Sequence, residues 1–307
     1  MEAIPLTETL TPLELDRGEA VEIVGAEGRK WILRVVETDA RILFTTLPEP
    51  RVEYHSAVTF YAFHAVLEVN GETHRMDREV PTWRSFYEPW EIDGLTIWLD
   101  AVEDIFTFLL EAHGPCKPRK AARLAVQETG RRICPDPVHT WCPLRGEGLR
   151  IVDCYTGEDC WMGPYFGAAA HGGLDINHPS GTPIWAPLRI DDHAYFNSLA
   201  MGHNNNRWRG WRHWPDGRSW ILQCHHMNHL TVAEHTPLLA GQLYADGAGV
   251  LSGTYEHSHF VFKIVRDGVE YPLDPWILFR QMYRDRDEGL VHWERWGKNR
   301  FRSRAEI

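Results

Sequence analysis

The sequence predicts a mainly β protein in which a smaller N-terminal antiparallel β domain precedes a C-terminal domain built on an antiparallel β-sheet. Short runs rich in β-branched and aromatic residues, separated by turn residues, recur through the first third of the chain. From His257 to Ile264 the residues alternate at a period of two, as in a strand. We expect the N-terminal domain over residues 1–112, a connector rich in Cys and Pro over 113–159, and the C-terminal domain over 160–307.

The composition is that of a soluble globular protein and argues against two kinds of partner. Hydrophobic residues make up 43% of the chain and charged residues 24%. The formal net charge of −11 argues against nucleic acid, because phosphate binding usually needs a basic surface. No apolar run approaches the roughly 18 residues of a membrane-spanning helix. The N-terminus is acidic and does not resemble a signal peptide.

Four stretches of the N-terminal domain have the composition of strands. They are Val21 to Val24, Trp31 to Val36, Val58 to Val69 and Leu95 to Leu99. Asn70 and Gly71 follow the third stretch and indicate a two-residue hairpin turn. Aromatic residues such as Trp83, Trp90 and Trp98 suit either the core or a ligand groove, and the sequence does not identify a ligand.

The connector is predicted to contain one helix and a cluster of cysteines. Lys117 to Cys134 places apolar Ala122, Leu124 and Val126 among Arg and Lys residues, which suggests an amphipathic helix with a solvated charged face. Five cysteines lack the Cys-x-x-Cys spacing of a zinc finger: Cys116, Cys134, Cys142, Cys154 and Cys160. They are either disulfides of an oxidising compartment, with Cys154 and Cys160 the easiest pair to join, or free buried thiols.

Four residues in two motifs have the spacing of a metal site. His171 and Asp175 lie four residues apart, and His257 and His259 follow further along the chain. Residues i and i+2 of a strand share a face, so the last two imidazoles point the same way. Imidazole nitrogen and carboxylate oxygen are ligands that Zn²⁺ prefers, and three protein ligands leave one position open. Gly172 and Gly173 favour an extended segment and turn for the first motif over a helix.

Around these motifs the chain resembles the lysostaphin and LytM type of zinc metallopeptidase, peptidase family M23. The resemblance covers roughly residues 160 to 280 and is carried by HGGLDINHPSGTPIWAP from His171, by Asn228-His229-Leu230, by GQLYADGAGVLSGTYEHSHFVF from Gly241, and by Arg266 to Pro275. It implies one Zn²⁺ per chain, held by His171, Asp175 and His259, with His229 and His257 as catalytic histidines. The implied activity is endopeptidase cleavage of peptidoglycan cross-bridges, and glycyl and D-amino-acid bonds are not distinguished.

The resemblance also implies a mechanism. Zinc lowers the pKa of a bound water from about 15.7 toward about 7 and so provides a nucleophile at neutral pH. One of His229 and His257 accepts a proton and the other stabilises the oxyanion; the sequence leaves their roles open. Trp220 to Leu230 is predicted to be one strand, on which His225 shares a face with His229 and rivals it. A nucleophilic Cys224 is disfavoured, because nothing lowers the pKa of its thiol.

Two departures from the family pattern stand out. Leu188 to about Arg218 is a long insert with alternating Arg and Trp residues. We predict that Trp208, Trp211 and Arg212 contact substrate by stacking on sugar rings or pairing with carboxylates, although an ordinary loop has a similar composition. Ser258 occupies the usual leucine position between the last two histidines, and we expect it to face away from the ligands and bond to backbone.

A second class of function stays open. A chain that binds without turnover would be a non-catalytic cell-wall-binding or regulatory module that retains the metal site. Retention of all five site residues favours the enzyme. The compartment is unknown, because a peptidoglycan substrate favours an extracytoplasmic location whereas the chain shows no signal peptide.

Overall fold

The computed structural model is mainly β and divides into two compact units. The residues that it describes are 1–45, 59–80, 88–107, 111–112, 117–142, 165–166, 169–170, 172–177, 181–197, 206–247 and 257–291. Unit 1 comprises Met1–Pro135 and Pro164–Gly172, and unit 2 comprises Asp136–Gly163 and Gly173–Ile307. None of the helices in these ranges has the length and hydrophobicity that crossing a bilayer requires.

Unit 1 contains two larger sheets and one small sheet. The first has the order β1 (Glu2–Pro5), β3 (Ala20–Val24), β4 (Lys30–Thr45), β5 (Thr59–Val69) and β6 (Glu72–Val80), with β1 parallel to β3 and the other pairs antiparallel. The second is antiparallel, in the order β2 (Thr11–Leu15), β10 (Ala122–Glu128), β8 (Leu95–Val102) and β7 (Trp90–Ile92). The small sheet joins β11 (Tyr165–Phe166), β12 (Ala169–Ala170) and β9 (Glu111–Ala112), and a 3₁₀ helix spans Glu103–Thr107.

The two larger sheets of unit 1 share one apolar core. Leu33 and Val35 of β4 and Leu95 and Ile97 of β8 belong to it, each at alternate positions of its strand. The four strands predicted in this part of the sequence are present in β3, β4, β5 and β8. The Asn70-Gly71 turn is also confirmed, with φ of 51° and 86°, the left-handed values that a type I′ hairpin turn requires.

The predicted helix between Lys117 and Cys134 is wrong. Ala122–Glu128 is instead strand β10, hydrogen-bonded on both sides to β2 and β8. The error came from the polar residues between the apolar ones. Arg123 donates to Asp100 at 2.7 Å and Gln127 donates to the carbonyl of Thr7 at 3.3 Å, so both are buried with partners and are not a solvated helix face.

Two cysteines of the predicted cluster lie in the described part of the chain. Cys134 and Cys142 are buried and neither takes part in a disulfide. Cys116, Cys154 and Cys160 lie outside the described residues, and the proposed bridge between the last two stays a prediction.

Unit 2 contains a six-stranded and a three-stranded antiparallel sheet. The larger has the order β13 (Leu174–Asn177), β20 (His257–Arg266), β17 (Ser219–His225), β16 (Asn206–His213) and β15 (Asp192–Asn197), with β21 (Val269–Leu273) also paired to β20. The smaller has the order β14 (Pro183–Trp185), β19 (Leu243–Gly247) and β18 (Met227–Leu230). The predicted insert therefore supplies the hairpin partners β15 and β16 of the larger sheet.

The larger sheet of unit 2 has an aromatic core face. Trp208 stacks on Tyr244 of the smaller sheet with 4.1 Å between ring centroids, and Trp220 meets Phe262 at 4.9 Å. Phe260, Phe262 and Ile264 of β20 are fully buried in this core, as a period of two from His257 to Ile264 requires of one face of the strand. The opposite face carries the intervening residues of the same strands and is called the site face: Arg207, Arg209 and Trp211 of β16, Ile221, Gln223 and His225 of β17, and His259, Val261 and Lys263 of β20.

The α-helix of unit 2 follows β21 and packs on the same core. α1 spans Trp276–Asp287, and Phe279 lies 5.8 Å from Phe260 between ring centroids. Asp274 accepts a hydrogen bond from the backbone of Trp276 at 3.0 Å, which satisfies one of the unpaired amides at the start of the helix. Among the described residues this is the α-helix of the protein, and it lies about 150 residues from the predicted one.

Candidate active site

Four strands of the larger sheet bring candidate site residues into one row. Asp175 of β13 is directly opposite His259 of β20, His259 is opposite His225 of β17, and His225 is opposite Arg207 of β16. Asn177 is opposite His257 in the same pairing. Directly opposed residues of an antiparallel pair lie on the same face, so backbone register alone brings the two predicted motifs together.

Three imidazoles cluster at this row. The ring centroids of His225 and His259 are 4.8 Å apart, and those of His226 and His259 are 6.4 Å apart. His259 and His226 are buried and His225 is partly exposed, so the cluster opens toward solvent at His225. From the sequence alone, His225 is predicted only as an alternative to His229 for the catalytic role. The signal that identifies it, the pairing of β17 with β20, joins residues more than 30 positions apart and is not a local pattern.

Gly173 makes room for the imidazole of His259. A Cβ at this position would lie 2.4 Å from the carbonyl oxygen of Phe260 and 2.5 Å from both Cε1 and Nε2 of that ring, closer than real Cβ contacts come. Gly172 has φ of 81°, which favours glycine, and β13 begins at Leu174. The predicted extended segment and turn of the first motif is therefore confirmed where it is described. Gly172 is favoured by its left-handed backbone conformation, and Gly173 is favoured because a side chain would not fit.

The prediction of one strand from Trp220 to Leu230 is wrong. β17 ends at His225, His226 has φ of 63°, and the chain continues as β18 in the smaller sheet. Asn206 holds this corner: its carbonyl accepts from the His226 amide at 3.0 Å, and its side-chain amide donates to the carbonyl of Met227. The left-handed residue breaks the period of two, so His225 and His229 lie on different sheets and are not rivals for one position.

Ser258 belongs to a buried polar chain behind the row. It is fully buried on the core face and hydrogen-bonds to the thiol of Cys224, which in turn interacts with Tyr244. The indole of Trp141 donates to the Tyr244 hydroxyl at 2.9 Å. The expectation that Ser258 faces away from the ligands is confirmed, but its partners include side chains of neighbouring strands. Burial raises the pKa of the Cys224 thiol to about 12, which agrees with rejecting it as a nucleophile.

The described residues do not complete a metal site. Among them, no group of three or more His, Cys, Asp or Glu side chains is arranged to hold an ion. His171 lies outside the described residues, and Asp175, His229 and His257 are described by backbone alone. The predicted ligands and catalytic histidines therefore stay predictions. The room at Gly173 and the histidine and aspartate positions in the row fit the donor set that Zn²⁺ takes.

The predicted substrate contacts divide between the two faces of β16. Trp208 is fully buried in the core, and Arg212 pairs with Asp136 at 2.9 Å and with Asp191 at 3.2 Å. Trp211 lies on the site face and is partly exposed. No ligand tests these three assignments, which stay predictions, but Trp208 has no exposed surface through which to contact one.

The solved structures that are similar to this chain include peptidases of the M23 type and a pore-forming complex, SpoIIQ–SpoIIIAH. The catalytic domain of lysostaphin from Staphylococcus simulans is 18% identical, with 39% of this chain and 84% of that chain covered and a TM-score of 0.28. Whole lysostaphin is 17% identical with a TM-score of 0.33, and the match covers 47% of this chain and only 56% of that protein. An M23-type peptidase structure from Pseudomonas aeruginosa is 15% identical, with 90% and 95% covered and a TM-score of 0.33.

The sequence itself matches no protein-family model and no curated protein. At these identities and TM-scores the solved structures say nothing about individual residues of this chain, whose roles rest on its own geometry.

Proposed function

We propose that the C-terminal part of the chain, over residues 160–307, is a zinc-dependent endopeptidase that acts on the peptide cross-bridges of peptidoglycan. His171, Asp175 and His259 hold the metal, and His229 and His257 assist proton transfer. The observation that carries this proposal is the row in which Asp175 is directly opposite His259. Two motifs 82 residues apart in sequence thus occupy neighbouring positions, as a shared ligand set requires.

The residues of the row have separable tasks in this proposal. A bound zinc ion supplies a water that is acidic enough to act as a nucleophile near neutral pH. His225 packs against His259 and limits its rotation, and Gly173 leaves the space that the ring occupies. Ser258, tied to Cys224 from the core side, fixes the strand between His257 and His259. A histidine beside the attacked carbonyl accepts or donates a proton, as general acid–base catalysis requires.

Zinc content and peptide hydrolysis together test the proposal. Purified protein should contain about one zinc by elemental analysis, His171→Ala and Asp175→Ala should lose it, and His257→Ala should keep it while releasing no new amines from purified sacculi. His235→Ala is the matched control, because His235 is 70% exposed and pairs with Asp192 away from the row. Stoichiometric metal in both ligand variants would show that the assignment is wrong.

A glycine pair tests the geometry more directly. Gly173→Ala should lower zinc affinity at least tenfold, because the added methyl overlaps the His259 ring. At Gly181 an added Cβ would meet no atom within 4 Å, but the backbone φ of 77° is unfavourable for alanine. Gly181→Ala should therefore cost about 1 kcal/mol of folding free energy and leave zinc binding unchanged. Equal zinc affinity in the two variants would remove the support that Gly173 gives.

The binding-module alternative makes a different prediction in the same assay. A non-catalytic cell-wall-binding or regulatory module would bind sacculi and retain zinc, and wild type would release no amines at any zinc concentration. Hydrolysis by wild type that His257→Ala abolishes would exclude this alternative.

A further inference from the structure

Two arginines of the site face differ from most of the other described basic residues of unit 2. Seven basic side chains have a carboxylate oxygen within 3.5 Å: Arg189, Arg212, Arg218, Lys263, Arg266, Arg284 and Arg286. Arg207 and Arg209 form no ion pair with any described residue, and Nε of Arg209 is buried without a hydrogen-bond partner there. Acidic partners are not scarce, since the chain has 43 Asp and Glu against 32 Lys and Arg.

Strand register places these arginines beside the candidate active site. Arg207 is directly opposite His225, which is opposite His259, so two strand spacings, roughly 10 Å, separate Arg207 from His259. Arg209 lies two residues along β16 on the same face, about 7 Å from Arg207, and is opposite Gln223. Both guanidinium groups therefore stand on the surface that leads away from the imidazole cluster.

The chemistry around the two arginines selects an anion and gives it a direction. Two guanidinium groups this close repel each other, and a carboxylate between them accepts from both and removes the repulsion. Gln223 adds an amide donor opposite Arg209, and Trp211 supplies an apolar surface one position further along the face. Asp192 is opposite Trp211, and its negative charge disfavours an anion at that end of the face. The favoured place for the anion is the end nearer His225.

We propose that Arg207, Arg209 and Gln223 form a subsite that binds a carboxylate of the peptide substrate, within about three residues of the bond presented to His259. The proposal rests on the proposed function for the statement that the ligand is a peptide. It moves substrate recognition from Trp208 and Arg212, on the core side of β16, to the arginines that alternate with them. Arginine suits this task because its planar fork pairs with both carboxylate oxygens.

A pair of pentapeptides tests the subsite without turnover. N-acetylated, C-amidated Gly-Gly-Gly-Gly-Glu and Gly-Gly-Gly-Gly-Gln differ only in one carboxylate. Their affinities are measured by titration calorimetry on zinc-depleted protein, and their hydrolysis is measured separately on zinc-loaded protein. Wild type should bind the Glu peptide at least about tenfold more tightly than the Gln peptide. Arg207→Gln and Arg209→Gln should each remove most of this preference, and Arg209→Lys should retain part of it.

Arg189→Gln is the charge-matched control, because Arg189 is exposed and paired with Asp191. It should keep the wild-type preference. Equal affinity of wild type for the two peptides, no binding of either one, or the same loss in Arg189→Gln would each overturn the subsite. Discrimination without hydrolysis would contradict the proposed function alone, and hydrolysis without discrimination would contradict the subsite alone.

Discussion

Charged residues in the core of unit 1 and two arginines on the site face of unit 2 differ in their partners. In unit 1, Arg123 and Asp100 are both 2% exposed and joined at 2.7 Å, and the buried Arg78 donates to the carbonyls of Leu99 and Asp100. On the site face of unit 2, Arg207 and Arg209 have no acidic partner among the described residues. Charges that are fully paired within a core maintain architecture, whereas charges left without partners on a sheet surface remain available to a ligand.

The largest expected effect separates the two faces of one strand. Trp208→Ala should lower the free energy of unfolding by about 3–5 kcal/mol, because it empties a fully buried site against Tyr244. Trp211→Ala, three residues away on the site face, should cost about 1 kcal/mol or less. Urea denaturation measures both. Similar losses in the two variants would mean that the face assignment of β16 is wrong.

Breaking a buried pair in unit 1 should cost slightly less. Asp100→Ala removes the carboxylate that lies 2.7 Å from the buried Arg123, whose distance to Glu14 is 3.7 Å, and should lower the free energy of unfolding by about 3 kcal/mol. Glu22→Gln removes the exposed pair with Lys30, and about 0–1 kcal/mol is expected. Peptide binding by unit 2 should be unchanged in both. If Asp100→Ala and Glu22→Gln lowered the free energy of unfolding equally, the distinction between the buried pair and exposed charged residues would be wrong.

The smallest effect depends on pH and should appear first in unit 2. Burial lowers the pKa of His193 and of His139, only partly offset by Asp192 and Glu234 for the former and by Asp285 for the latter. The unfolded chain therefore takes up protons first, and this stability is complete above pH 6.5 and is lost as pH falls through the lowered values.

Two carboxylates of unit 1, Glu19 and Asp77, affect stability at lower pH than these histidines do. Burial raises the pKa of Glu19 and Asp77, but hydrogen bonds from the Asp16 amide and Lys120, and from Arg75 and His64, lower both below their ordinary 4.5 and 3.8. Their contribution is present above those values and is lost only below them.

Hydrogen exchange by mass spectrometry, corrected for intrinsic rates, distinguishes the units between pH 7.5 and 5.5. Protection in unit 2 should fall while that in unit 1 holds, and the double variant His139→Gln with His193→Gln should remove much of the fall. His213→Gln, an exposed control whose ring bonds to Ser219, should not. A parallel loss of protection in both units would contradict the assignment to these histidines.

Local patterns predicted part of this structure, and the reasons differ by residue. Composition identified β3, β4, β5 and β8, a period of two identified β20, and turn residues identified the Asn70-Gly71 turn, because each of these signals lies in neighbouring residues. Arg123 and Gln127 misled the assignment of β10, because their buried partners come from distant strands.

The site was predicted in the same partial way. The two motifs gave the candidate ligands, but their juxtaposition and the position of His225 depend on the pairing of β13, β17 and β20. The corner at His226 depends on Asn206, twenty residues earlier in the chain. Which of the alternating arginines and tryptophans face the site followed only once β16 was seen to pair with β17.

The polar chain from Ser258 to Trp141 constrains how this protein can change over evolutionary time. A leucine at position 258 would deprive the buried Cys224 of a hydrogen-bond partner, and phenylalanine at 244 would do the same to the Trp141 indole. Substitutions at these four positions should therefore occur together in related sequences, with an apolar residue at 258 accompanied by apolar residues at 224 and 244. The position of the strand that carries His257 and His259 would then depend on a set of residues that are substituted only together.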